Sequence, residues 1–224
     1  MERLEWGFAG TSHTEPAVPE PGKVKPSRSV WKHWVDSNSD DPKPDEGDMW
    51  PQPNGDTLEK GSTRDPKTGA VTQYEELWAD VPVEKTGIDE GFVSIVLQLY
   101  DEAHSARGIV VRVGGWCQGL LKVGNEVTVE RWKWVARDSK SSKHGPTKGG
   151  ESKTSAVVDG SKSTISGTQD SQDEGDHAGN WKRVARLGVR FLPCAITFDP
   201  GLAKESTVVE AGDSSWKVIE NYQW

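Results

Sequence analysis

The stretch RGIVVRVGGWCQGLLKVGNEVTVERWKWV, running from Arg107 to Val135, decides the fold class. From Ile109 the odd positions read Ile109, Val111, Val113, Gly115, Cys117, Gly119, Leu121 and Val123, while the even ones include Arg112, Gln118 and Lys122. A period of two belongs to an extended chain, whose successive side chains leave the pleat on opposite faces. The spacing predicts one long strand over 107–123 with its odd face inward. Gly114, Gly115 and Gly119 are expected to be bulges or sharp bends within it. After Gly124 and Asn125 a second strand follows over 127–135. A two-residue turn would set Leu121 opposite Thr128 and Val123 opposite Glu126. A three-residue loop would set Val123 opposite Val127 and Trp116 opposite Trp134. Burial of an apolar face fixes register more strongly than turn preference, so the three-residue loop is expected.

A chain of 224 residues can form one large all-β domain or two small ones. Eleven tryptophans, against four Phe and three Tyr, must supply much of the core. Each leaves an indole N–H that needs a partner, which suits cavities and barrel mouths. The net charge of −8, with no basic stripe to outweigh the acids, argues against a general nucleic-acid binder. Met1 to Glu5 lacks the apolar run of a signal peptide, and no stretch suits membrane insertion as a helix. Cys117 and Cys194 lie among apolar residues and read as free thiols of a reduced intracellular protein.

Along the chain, Trp6 to Thr11 reads as the end of a strand, and Val30, Trp31 and Trp34 as a short one. Asp36 to Asp48, acidic and proline-rich, reads as a solvated loop. Thr57 to Gly61 and Val71 to Trp78 read as strands around a turn. Val81 to Gly91 is the best domain boundary, giving an N-terminal unit over 1–88 and a C-terminal unit over 89–224. Strands are expected at Phe92 to Tyr100, Trp181 to Leu192, Cys194 to Phe198, Thr207 to Glu210 and Trp216 to Tyr222. Arg137 to Asn180, rich in Ser, Gly, Lys and Asp, has too little apolar surface to offset its ordering entropy and reads as a disordered insert. No sustained helical period occurs, so the class is all-β.

Chemistry-bearing motifs are sparse. Asp101-Glu102-Ala103-His104 spells a helicase-type box, but no phosphate-cradling loop accompanies it, so a strand-end turn is the better reading. The five histidines and two cysteines have no zinc spacing. The acids Asp40, Asp41, Asp45, Glu46 and Asp48 lack the ligand spacing of a calcium loop. No cofactor or metal is expected. Cys117 could be reactive, yet without a nameable partner to lower its pKa it reads as a buried thiol. Trp6, Trp31, Trp34, Trp78 and Trp116, with Cys117 and Gln118, are the candidate pocket or partner-binding residues; filling small barrels is the plainer role for the tryptophans. Ser37 and Ser171 each precede an acid by three residues, a weak pattern for an acidophilic kinase.

Several blocks in order resemble the fungal Hri family: Glu5-Trp6-Gly7-Phe8-Ala9-Gly10-Thr11, Val30-Trp31-Lys32-His33-Trp34, Tyr74-Glu75-Glu76-Leu77-Trp78, Ser94-Ile95-Val96-Leu97 with Asp101-Glu102-Ala103, Trp116-Cys117-Gln118-Gly119-Leu120-Leu121, and Trp216-Lys217-Val218-Ile219-Glu220. The resemblance implies two lipocalin-like antiparallel β-barrel domains in tandem and no enzymatic activity. It also implies residence in cytoplasm and nucleus, with a casein-kinase-one-type kinase and a subunit of the Sec translocation machinery as partners. Family members carry several strands before the first block, which here begins at residue 5. The first barrel is therefore expected to be incomplete, to expose an unpaired edge near Trp6 and Phe8, and to homodimerise or aggregate through it. Two functions remain open, a non-enzymatic interaction protein and a small-molecule carrier or cavity-based enzyme. A filled interior favours the first; an open pocket lined by tryptophans favours the second.

Overall fold

The computed structural model describes residues 4–64, 68–87, 91–136 and 179–224. Among the described residues the chain is all-β, with two antiparallel sheets and one short 3₁₀ turn. The first sheet is a five-stranded meander: β1 (Phe8–Glu15), β2 (Ser27–Asp36), β3 (Asp45–Pro51), β4 (Thr57–Arg64) and β5 (Val71–Trp78), in chain order. The expected loop over Asp36 to Asp48 is shorter than its composition suggested, because β3 already begins at Asp45. Its acids are held there by Arg28 on β2, which pairs with Glu46 at 2.7 Å and Asp48 at 2.9 Å.

The second sheet contains β6 (Val93–Asp101), β7 (Ala106–Val113), β8 (Trp116–Val123), β9 (Glu126–Ala136), β10 (Gly179–Leu187), β11 (Val208–Ala211) and β12 (Ser214–Gln223). Its order is β10-β9-β8-β7-β6-β12-β11. After β10 the chain must therefore cross from one edge to the other. The crossing segment lays the 3₁₀ turn Cys194–Phe198, expected as a strand, over the face of the sheet. Neither sheet closes, since no ladder among the described residues joins β1 to β5 or β10 to β11. Residues 137–178 of the expected insert lie outside the described residues, while Gly179 and Asn180 open β10.

The long strand expected over 107–123 is instead a hairpin. Gly114 takes a φ of +51°, open to glycine at little cost, and Val113 pairs with Trp116. A two-residue turn reverses the chain but leaves the alternation of letters unbroken, so the facing side chains change parity. On β7 the even residues Ala106, Val110 and Arg112 face the main core; on β8 the odd residues Cys117 and Leu121 do. The second hairpin also has a two-residue turn, with Val123 opposite Glu126 and Leu121 opposite Thr128. The three-residue loop is thus overturned. Its burial argument assumed a single inward face, whereas β8 and β9 are buried on both sides.

The main core joins Val93, Ile95, Leu97 and Leu99 of β6 to Trp216 and Val218 of β12, with Leu192, Cys194 and Ala203 closing it from the crossing segment. Trp216 is fully buried and lies against Gly108, where any Cβ would collide with its ring. A second, smaller cluster joins the sheets: Val35 of β2 against Ile109 and Leu120, on the opposite face of β7 and β8. That contact makes the place where the sheets meet.

Candidate functional site

A cleft of about 250 Å³ opens beside the Val35–Ile109–Leu120 contact, lined by both sheets. Its first wall is the end of β2 and the loop that follows. Trp34 is fixed there by its indole N–H, which donates to the Gly108 carbonyl at 3.1 Å and so ties β2 to β7. The loop is shaped by Asp36, a buried carboxylate that accepts from Trp6 Nε1, His33 Nδ1 and the backbone N–H groups of Asn38 and Ser39. Four donors on one carboxylate hold a tight turn and carry the chain outward to Asp40.

The second wall comes from β6, β7 and β8. Tyr100 meets Trp34 edge-on, with 6.0 Å between ring centroids. Above both rings lies the Arg107 guanidinium, 5.4 Å from Tyr100 and 5.9 Å from Trp34. Lys122 reaches the same cleft from β8. Its side chain is only 10% exposed, and its ammonium pairs at 2.7 Å with Asp40, whose side chain is 78% exposed. The Lys122 hydrogen bond and charge, with a smaller contribution from Arg107, hold the Asp40 carboxyl below the usual carboxylate range. One cation is thus paired with a solvent-facing carboxylate, and a second lines the same cleft beside an aromatic pair. The arrangement is suited to holding an anion.

At the rim, Asp101 and His104 form the strand-end turn expected of the helicase-like letters. His104 Nδ1 lies 2.7 Å from Asp101 Oδ2, and Ser105 takes a φ of +48°.

The candidate residues read from sequence scatter over the molecule, and of the set only Trp34 lines this cleft. Trp6 is 43% exposed, bound to Asp36, and next to Phe8, whose ring stacks on His33. Trp31 lies half-buried on β2. Trp78, on the edge strand β5, donates its N–H to the buried Glu59 carboxylate at 2.8 Å. Trp116 lies under Arg131 and Lys133, each 4.8 Å from its ring. Gln118 is exposed, and its neighbour Cys117 points the other way into the core. The Ser37 hydroxyl accepts the Gly7 N–H at 2.9 Å. Ser171 lies outside the described residues.

Cys117 sits in a buried polar cluster that sequence reading missed. Thr197 Oγ1 donates to its sulfur at 3.4 Å, and the Cys117 thiol donates to the Cys194 carbonyl at 4.0 Å. The Cys194 side chain, with help from Thr197 and the Arg112 charge, lowers the Cys117 thiol despite burial; the same pairing and burial push Cys194 up. Arg112 is fully buried and spans the core. It donates to the carbonyls of Gly114, Thr197 and Phe198 and to Thr86 Oγ1, and lies 5.0 Å from the Trp181 ring.

A family model described as Protein HRI1 matches residues 1–220. The chain belongs to that family. Its fold is also that of the crystal structure of uncharacterized protein YLR301w from Saccharomyces cerevisiae, with a TM-score of 0.56 at 17% identity, over 98% of this chain and 79% of that one. No curated protein sequence matches the chain. Of the residues that build the inter-sheet cleft, Arg107, Tyr100 and Lys122 were given no site role from the sequence, and Asp40 was weighed only as a calcium ligand. One signal was available: Lys122 is a lone cation between Leu121 and Val123 in an otherwise apolar strand end.

Proposed function

We propose that this HRI1-family chain is a non-enzymatic interaction protein of the cytoplasm and nucleus. Its proposed partners are a casein-kinase-one-type kinase and a subunit of the Sec translocation machinery. One observation supports this above others: the face of the second sheet, where a carrier would hold its cargo, is filled. Trp216, Leu97, Leu99, Leu121, Leu192 and Cys194 occupy it, each 5% exposed or less. A packed interior leaves outer surfaces and sheet edges as the means of recognition. The exposed edge strand β5, with Leu77 at 63% and Trp78 at 52% exposure, is a surface of that kind.

The alternative, a small-molecule carrier or cavity-based enzyme, has the inter-sheet cleft in its favour. At about 250 Å³ and with one tryptophan in its lining, it is smaller than the pockets that enclose drug-sized ligands. Affinity purification of the native protein, with mass spectrometry of both proteins and small molecules, separates the two. Stoichiometric recovery of the kinase or the Sec subunit, reproduced with purified components by biolayer interferometry, is the expected result. Recovery of a small molecule in equimolar amount with neither protein would overturn the reading. Light scattering of the same sample reads the homodimer expectation directly.

A further inference from the structure

The Lys122–Asp40 pair places a lysine whose side chain is nine-tenths buried against a carboxylate that is mostly in water. A buried cation that loses its counterion is strongly destabilised, whereas an exposed aspartate loses little on swinging outward. The pair is therefore asymmetric: Lys122 requires a carboxylate and Asp40 is free to be replaced. Arg107 lines the same cleft and adds a second positive group there, whose charge also acts on Asp40. Its guanidinium lies beside the Trp34 and Tyr100 rings, so aromatic surface adjoins the two charges.

We infer that the inter-sheet cleft is a binding site for a small planar monocarboxylate, which displaces Asp40 and pairs with Lys122 and Arg107. The volume of about 250 Å³ accommodates a ring bearing one carboxyl group. The charge count sets the valence. Asp36, Asp101 and Glu102 line the same cleft and repel a dianion, while a single carboxylate substitutes for Asp40 one for one. Asp40 is thus a built-in occupant that lowers the apparent affinity of the true one, as any competing closed state does. Of the cleft's lining only Ala106 also belongs to the packed core on which the proposed interaction function rests, and Lys122, Arg107 and Asp40 lie outside it.

The probes are benzoate and, as the neutral isostere, benzamide, with inorganic phosphate as the more highly charged anion. Binding to the full chain is measured by isothermal titration and by chemical-shift changes, with the Trp34 indole N–H as local reporter. Benzoate should bind and benzamide and phosphate should not. Asp40→Asn should tighten benzoate about tenfold by removing the competitor, and Lys122→Met should abolish binding while leaving the amide spectrum folded. If Lys122→Met does not fold, Arg107→Gln carries the same test and should weaken benzoate at least about tenfold. Equal binding of benzoate and benzamide overturns the inference. So does a failure of Asp40→Asn to tighten benzoate, or an absence of benzoate binding in both wild type and Asp40→Asn.

Discussion

Val113 stands directly opposite Trp116, with only Gly114 and Gly115 between them. Gly114 is held at a φ of +51°, and a Cβ there would run into the Glu84 carbonyl oxygen of the segment linking the sheets. Gly124 turns the next hairpin at a similar φ of +54°, but nothing lies within 4 Å of its Cβ position. Alanine at either site meets the left-handed penalty of about 1–2 kcal/mol. Only Gly114→Ala must also displace backbone, adding about 1–3 kcal/mol. Urea unfolding should therefore rank Gly114→Ala well below Gly124→Ala. Equal losses would mean that the Glu84 segment yields freely.

Asp36 should be one of the costliest polar residues to remove. Asp36→Ala strands donors on Trp6, His33, Asn38 and Ser39, two of them on partly buried side chains. A loss of about 3 kcal/mol is expected, against about 1 kcal/mol for Ser37→Ala, which removes one acceptor. Chemical denaturation of both variants checks the order. A loss for Asp36→Ala below that of Ser37→Ala would show that the turn does not depend on the carboxylate.

Cys117 and Cys194 are each 1% exposed, so the lowered pKa of Cys117 cannot by itself make it reactive. Iodoacetamide should alkylate both at least about 100-fold more slowly in native buffer than in denaturant, because labelling must wait for local opening of the Cys194–Phe198 turn. Rapid stoichiometric labelling of the native chain would contradict this and reveal an open path to the core.

Glu76 provides a pH test. Burial, then the charges of Glu59 and Asp45, raise its pKa in the folded chain. A carboxyl raised on folding favours the native state when protonated, and that contribution disappears as pH climbs through the folded pKa. Glu76→Gln should therefore raise the melting temperature at pH 7. The gain should vanish below about pH 4, where the unfolded carboxyl is itself protonated. A gain that is the same at both pH values would assign the effect to something other than charge.

The alternation of Val93, Ile95, Leu97 and Leu99 was enough to place β6 and its buried face, because a strand in contact with one core on one side must alternate. Composition excluded helical architecture for the same reason that it marked strands: β-branched and aromatic residues in short runs between glycines. The blocks from Glu5 to Glu220 carried the family. What the letters did not carry was parity. A run that alternates through Gly114 and Gly115 reads identically as one strand or as two, and only the Val113–Trp116 pairing shows that Arg112 faces inward and Gln118 outward. Nor could local pattern find the cleft. Asp40, in the loop after β2, and Lys122, on β8, are 82 positions apart by number, and Lys122 becomes a buried cation only because Val35 packs on Ile109 and Leu120. Periodicity is a property of one element and can be read along the chain. A site made where two sheets meet depends on long-range packing, and that is settled only when the chain has folded.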